Sequence, residues 1–177
     1  MVHMLKKELF ILLVIVCTIT HIIRAIYEIL KHKKIIKATR LSFIIVLVNM
    51  LLLWVSWFSL CSLDIYKIDM PDIIRYLGIT FVVLGIAIFL TGLLTIRSLE
   101  SYEGDLITHG IYSKIRHPMY LSFILWLMGM PAVYGGIFSS ALCLVFIANV
   151  LFWKHLEEIE LVHRFAAYKD YRKRTIF

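Results

Sequence analysis

Two polar segments hold most of the side chains that could do chemistry. One reads Leu106-Ile-Thr-His-Gly-Ile-Tyr-Ser-Lys-Ile-Arg-His-Pro-Met-Tyr120, the other Lys154-His-Leu-Glu-Glu-Ile-Glu-Leu-Val-His-Arg-Phe-Ala-Ala-Tyr-Lys-Asp-Tyr171. In the first, Pro118 suits the opening turn of a helix, where its missing N–H would go unused anyway, and this puts His117 at the cap position. Met119, Tyr120 and Leu121 then present free backbone N–H groups beside Arg116, a combination suited to a carboxylate or phosphate. The plainer alternative is that Arg116 only reaches out to lipid phosphates. In the second segment, Glu157 or Glu158 can turn a carboxylate toward the Arg116 segment. Glu160 precedes Arg164 by four residues and reads as a local surface pair. His155, Glu158 and His163 meet no recognised metal-ligand spacing, so no metal is expected.

These segments must be positioned by apolar elements. The chain has 177 residues, 61% of them apolar and 18% charged, against roughly half and a quarter in a soluble domain. That excludes a disordered tail, a disulfide scaffold and an ordinary soluble enzyme. Leu41–Leu63 and Tyr76–Ile96 are free of Lys, Arg, Asp and Glu over 23 and 21 residues, enough to cross a ~30 Å hydrocarbon core as helices. His117–Trp153 is charge-free over 37 residues and reads as two shorter helices with breakers at Pro131, Gly135 and Gly136. Leu9–Ile23 extends to about Leu30 if Arg24 and Glu28 sit near a membrane edge. The first helix is kept as mature, because no small-residue cleavage site follows it.

The expected fold is all-α: an integral membrane bundle of five transmembrane helices, with a cytoplasmic loop and a C-terminal amphipathic helix, forming one domain over residues 1–177. The spans fall at about 9–30, 41–63, 74–96, 118–132 and 136–153, the loop at 97–117 and the C-terminal helix at 154–174. Lys and Arg number 19 against 12 Asp and Glu, for a net charge of +7, and 14 of the basic residues fall in the Lys31–Arg40 loop, the 97–116 loop and the tail. The positive-inside rule puts those segments and the C-terminus in the cytoplasm and the N-terminus outside. The membrane itself is a prokaryotic cell membrane, or the endoplasmic reticulum in a eukaryote.

Within the spans, His21, Arg24 and Glu28 share one helix face, and Arg24 with Glu28 reads as a structural pair near the cytoplasmic edge. Asn49 and Asn149 read as interhelical hydrogen-bond formers. Cys17, Cys61 and Cys143 lie in apolar runs and read as small buried hydrophobes.

Together the two polar segments resemble the isoprenylcysteine carboxyl methyltransferase family of membrane enzymes, with phospholipid N-methyltransferases as more distant relatives. The family pattern is Leu-Val/Ile-x-x-Gly-Ile/Val-Tyr-x-x-x-Arg-His-Pro-x-Tyr, a hydrophobic hairpin, then Glu-Glu-x-x-Leu-x-x-x-Phe-Gly-x-x-Tyr-x-x-Tyr. Leu106, Ile107, Gly110, Ile111, Tyr112, Arg116, His117, Pro118 and Tyr120 match the first half. Glu157, Glu158, Leu161, Phe165, Tyr168 and Tyr171 match most of the second. There are two departures. Phe165-Ala166-Ala167-Tyr168 lacks the glycine and is one residue shorter, which turns Tyr168 and Tyr171 by about 100° on an unbroken helix. Trp153 stands where isoprenylcysteine enzymes have an arginine.

The resemblance implies a prokaryotic-type five-helix member that binds S-adenosyl-L-methionine on the cytoplasmic face. Leu106, Ile107, Gly110, Tyr112, His117, Pro118, Met119 and Tyr120 would then contact the cofactor. Arg116 and Glu157 would be catalytic, Arg116 by ordering the loop, while Glu157, Glu158 and Trp153 would bind substrate. The implied reaction is methyl transfer, as an O-methyltransferase, to a lipophilic small molecule from the bilayer. That acceptor would be the carboxylate of an isoprenylated cysteine or a related membrane-soluble carboxylate or thiol. Membrane lipids are the remaining partners, and no nucleic acid is expected. A phospholipid N-methyltransferase, an NADPH-dependent membrane reductase of the sterol-reductase type and a non-catalytic scaffold stay open as alternatives.

Overall fold

Each apolar run bounded by charge or by a helix breaker becomes a helix in the computed structural model, which describes residues 2–36, 39–96 and 105–177. In chain order these are α1 (Val2–His32), α2 (Arg40–Leu63), α3 (Asp72–Ile96), α4 (Pro118–Tyr134), α5 (Ile137–Arg164) and α6 (Tyr168–Arg174), with one 3₁₀ turn at Gly110–Ser113. Among the described residues there is no strand. The first part of the expected 97–117 loop, residues 97–104, lies outside them. Four helices, α1, α2, α3 and α5, are long and apolar enough to cross a membrane, and α4 is a shorter apolar helix of 17 residues.

α4 sits between α3, α5 and α2, while α1 closes the bundle against α2 and α5. The core is built largely from wide rings, with Trp57 and Trp153 fully buried and Phe123, Trp126 and Phe146 nearly so. Ile73, Leu94, Leu144 and Leu51 are more than half exposed on the outward faces. An apolar rim of this kind suits lipid, where backbone groups must be satisfied inside each helix.

α3 joins α4 along a glycine stripe that the sequence reading did not single out. Gly78, Gly85 and Gly92 are the buried residues of α3. Their spacing of seven is close to two helical turns, so they share one face. A Cβ on Gly85 would lie 2.6 Å from Trp126 Nε1, and one on Gly78 would lie 2.8 Å from the Gly129 carbonyl oxygen. At Gly78 the helices meet backbone to backbone, and at Gly85 the Trp126 ring takes the space a side chain would need.

At the end away from the polar segments, α4 runs through Pro131 to Tyr134. The break comes at Gly135-Gly136, with Gly135 left-handed at φ 67° and its N–H donating to the Pro131 carbonyl at 2.8 Å. Pro131 lies inside the helix and has no N–H to give the carbonyl four residues back. The α2–α3 connection is stapled to this turn. Ile137 N–H donates to the Tyr66 carbonyl at 2.7 Å, and Ile68 N–H to the Gly135 carbonyl at 2.9 Å. The buried Asp64 carboxylate accepts from both the backbone N–H and the hydroxyl of Ser139, each at 2.8 Å, in the first turn of α5, where the helix dipole favours negative charge.

One expectation needs correction. α5 runs unbroken from the fifth span into the tail, but the C-terminal helix expected over 154–174 is two pieces. α5 stops at Arg164, Phe165 is extended (φ −123°, ψ 112°), and α6 begins at Tyr168. The break turns Tyr168 and Tyr171 inward, and both are buried. The shorter Phe165–Tyr168 spacing is thus absorbed by a turn and not by a rotated continuous helix. Asn49 and Asn149 form interhelical hydrogen bonds as expected, each to α1: Asn49 Nδ2 donates to the Thr20 carbonyl at 3.1 Å, and Asn149 Nδ2 to the His21 carbonyl at 3.2 Å.

Candidate active site

The site is assembled where the start of α4 meets the end of α5 and the tail. His117 is the N-cap of α4 with Pro118 in the first turn, as the sequence requires, and no side chain caps the helix. Arg116, one residue earlier, holds three pieces of chain together. Its Nε and Nη2 donate to Glu158 Oε1 at 3.3 and 3.2 Å, and its Nη1 donates to the carbonyls of Arg172 and Thr175 at 3.1 and 2.8 Å. Backbone bonds run alongside, with Ile176 N–H donating to the Lys114 carbonyl at 2.9 Å and Arg116 N–H to the Ile176 carbonyl at 3.1 Å. The guanidinium is thereby committed to ordering the loop and the tail.

His117 is buried, with Nε2 3.2 Å from the Tyr168 hydroxyl and 3.4 Å from Glu158 Oε1. Lys154 also approaches that carboxylate at 3.8 Å. Glu158 is therefore the carboxylate that faces the Arg116 segment, a choice the sequence left open. Tyr171 donates to the Tyr112 carbonyl at 2.6 Å, locking α6 onto the 3₁₀ turn. Burial pushes the phenols of Tyr112, Tyr168 and Tyr171 up from their ordinary value. All three stay neutral in the physiological range.

A cavity of about 340 Å³ opens beneath this clasp. Its polar end is formed by Tyr112, Arg116, His117, Glu157 and Glu160, with Arg24 and Glu28 of α1 beside them. Its apolar wall follows α2 from Phe43 past Leu47 and Leu51 to Trp54 and Phe58, facing Phe89 of α3 and Phe123 of α4. Phe43 to Phe58 is about 22 Å along a helix. Leu51 is 58% exposed, so the wall reaches the outer face of the bundle.

Of the candidate residues, Tyr112, Arg116, His117, Pro118, Met119, Tyr120 and Glu157 line this cavity. Leu106 and Ile107 are half-buried and Gly110 is exposed, its left-handed φ of 58° and its position near Thr95 explaining the glycine, and none of the three is on the cavity wall. Glu158 is the counter-ion of the clasp. Trp153 is fully buried behind the wall, with Arg24 Cζ 5.8 Å over its ring. Glu160, read as a surface partner of Arg164, is on the wall, and no ion pair joins the two among the described residues. The apolar wall of α2 was not read from sequence, because its aromatic residues look like ordinary core. Among the described residues no three His, Cys, Asp or Glu side chains gather as a metal cluster.

This lining suits a zwitterionic cofactor with an aromatic base. The Met119 and Tyr120 N–H groups at the start of α4 fit a carboxylate, whereas the expected third, Leu121 N–H, donates to the His117 carbonyl at 3.0 Å. The faces of Tyr112 and Tyr120 fit a ring or a cation. The Tyr112 hydroxyl is buried and has no protein partner, leaving a donor for a bound molecule.

A helical membrane protein with a clasped polar pocket above an apolar cavity is the class that fold and site define. The family model described as phospholipid methyltransferase matches residues 73–168, more than half of the chain, and the chain belongs to that family. It is also similar to a protein-S-isoprenylcysteine O-methyltransferase of Schizosaccharomyces pombe (strain 972 / ATCC 24843), 34% identical over 87 residues that cover 45% of this chain and 35% of the relative. The chain thus aligns with about a third of that relative's length. No solved structure matches. The resemblance drawn from Arg116-His117-Pro118 and Glu157-Glu158 is borne out.

Proposed function

We propose that the protein transfers a methyl group from S-adenosyl-L-methionine to a lipophilic acceptor at the cytoplasmic membrane face. The observation that carries this reading is the continuity of one cavity, polar under the Arg116 clasp and apolar along α2. Such a space suits a water-soluble cofactor at one end and a bilayer-soluble acceptor at the other. The preferred acceptor is the carboxylate of an isoprenylated cysteine or a related membrane-soluble carboxylate or thiol. The family match favours methyl transfer over the reductase alternative.

When bound, the cofactor supplies an electrophilic sulfonium methyl. The protein's part is alignment and exclusion of water. His117, Pro118, Met119 and Tyr120 would hold the cofactor at the α4 N-terminus, with Tyr112 from the 3₁₀ turn. Arg116 acts at one remove by pinning the tail across the pocket through Glu158, Arg172 and Thr175. Glu157, on the cavity wall, would face the acceptor. A carboxylate or thiolate acceptor needs no base. An amine acceptor, as in a phospholipid N-methyltransferase, must lose a proton, and Glu157 is placed to take it while His155 is exposed and off the wall.

In this reading all five long helices cross the bilayer, with the N-terminus outside. α4, about 25 Å long, is short for a ~30 Å core, and local thinning accommodates it. The direct test is calorimetry with S-adenosylhomocysteine on the detergent-purified protein, where micromolar binding is expected. No heat at high micromolar ligand overturns the proposal. Labelled-methyl incorporation into membrane extracts then identifies the acceptor.

A further inference from the structure

Arg24 and Glu28 lie one turn apart on α1 and form an ion pair through Arg24 Nη2. That pair uses only one end of the guanidinium. Arg24 Nε and Nη1 are both buried with no hydrogen-bond acceptor, and so is the indole N–H of Trp153, whose ring lies 5.8 Å from Arg24 Cζ. Charged groups within a spanning helix are costly and mark function more often than structure. Buried donors left without acceptors add a desolvation penalty that a purely structural pair would avoid. Arg24 also lines the cavity, on the side where Glu28 and Glu157 meet the apolar wall of α2.

We propose that Arg24 is the residue that recognises the acceptor, the edge of its guanidinium left free by Glu28 receiving a carboxylate whose lipophilic tail lies along α2. This inference rests on the methyl-transfer reading and adds to it the residue that holds the acceptor's carboxylate. Planar, multi-donor guanidinium groups suit carboxylates. Glu28 holds the other edge of the group and keeps Arg24 from swinging away. Methylation of the carboxylate forms a carbon–oxygen bond and breaks the carbon–sulfur bond, the electron pair staying on sulfur, and no proton has to move. The ester product is neutral, so its hold on Arg24 weakens and release is favoured.

The test is tryptophan-fluorescence titration of the full chain in detergent with N-acetyl-S-farnesylcysteine and with its carboxamide. Wild type should bind the carboxylate about tenfold or more tightly than the amide, the scale of one charge-assisted hydrogen bond. R24Q/E28Q, which removes both charges and strands neither, should erase that ratio while leaving carboxamide and S-adenosylhomocysteine affinities in place. R24K should retain part of it. Equal affinities in wild type overturn the proposal without any variant, and so does a carboxylate preference that survives R24Q/E28Q. Loss of S-adenosylhomocysteine binding in R24Q/E28Q also overturns it, by assigning Arg24 to the cofactor. If wild type prefers the carboxylate but never binds S-adenosylhomocysteine, the Arg24 site stands and the methyl-transfer reading falls.

Discussion

Nε2 of His117, at the cap of α4, lies 3.2 Å from the hydroxyl of Tyr168, the first residue of α6 and 51 positions later in the chain. Glu158 approaches the same imidazole from α5 at 3.4 Å. Three elements therefore converge on one buried ring, and the tail is part of the site's construction.

Phe at 168 keeps the ring and deletes the hydroxyl. Y168F should lower unfolding free energy by about 1 kcal/mol, the net value of one hydrogen bond, and weaken S-adenosylhomocysteine binding several-fold. Thermal unfolding with and without that ligand checks both. No change in either would show that the contact contributes nothing.

Lysine at 116 retains the charge but not the geometry that reaches Glu158, Arg172 and Thr175 together. R116K should loosen the tail, and trypsin should cut at Arg172–Arg174 about tenfold faster, equivalent to ~1.4 kcal/mol of lost closure. Cleavage at the wild-type rate would mean that the backbone bonds to Ile176 suffice by themselves.

The glycine stripe predicts a graded series. At Gly85 an added Cβ would meet Trp126 at 2.6 Å, whereas at Gly92 it would meet Pro118 Cγ at 3.2 Å. G85A should cost roughly 1–3 kcal/mol as overpacking, and G92A should cost clearly less. Unfolding midpoints of the two variants in one detergent decide the order.

Burial raises the phenols of Tyr112, Tyr168 and Tyr171 above the ordinary value of 10.0. In the unfolded chain they ionise first, so the unfolded state gains stability as pH climbs past 10. Their contribution is fully present below that pH and is lost as pH rises through the higher folded values. Unfolding followed at pH 8, 10 and 11 should show little change over the first interval from these groups and a fall beyond it. Tyrosinate absorbance should rise together with unfolding.

Much of this architecture was legible because charge and proline mark helix ends directly. Pro118 set the start of α4, and Gly135-Gly136 set its end. The pairing of the two polar segments followed from their chemistry, yet the division of labour between Glu157 and Glu158 did not. That division depends on which neighbour each side chain meets across the bundle. The inward turn at Phe165 was hidden for a similar reason. Local spacing favoured a continuous helix, and burial of Tyr168 and Tyr171 against the 3₁₀ turn outweighed it. Arg24 was visible as an intramembrane ion, but only the third dimension shows that two of its nitrogens have no acceptor.

The contact between α3 and α4 also sets a direction of travel. Where Gly78 meets the α4 backbone and Gly85 the Trp126 ring, no hydrocarbon chain can pass, so that seam is closed to traffic from the bilayer. Beside α2 the cavity lining reaches the outer face at Leu51, a doorway that the α3–α4 seam does not offer. A neighbouring protein docked against α1 or α5 would leave that doorway clear, while one docked over Leu51 would shut it. In a crowded membrane, access to this site would then depend on which flank the neighbours occupy.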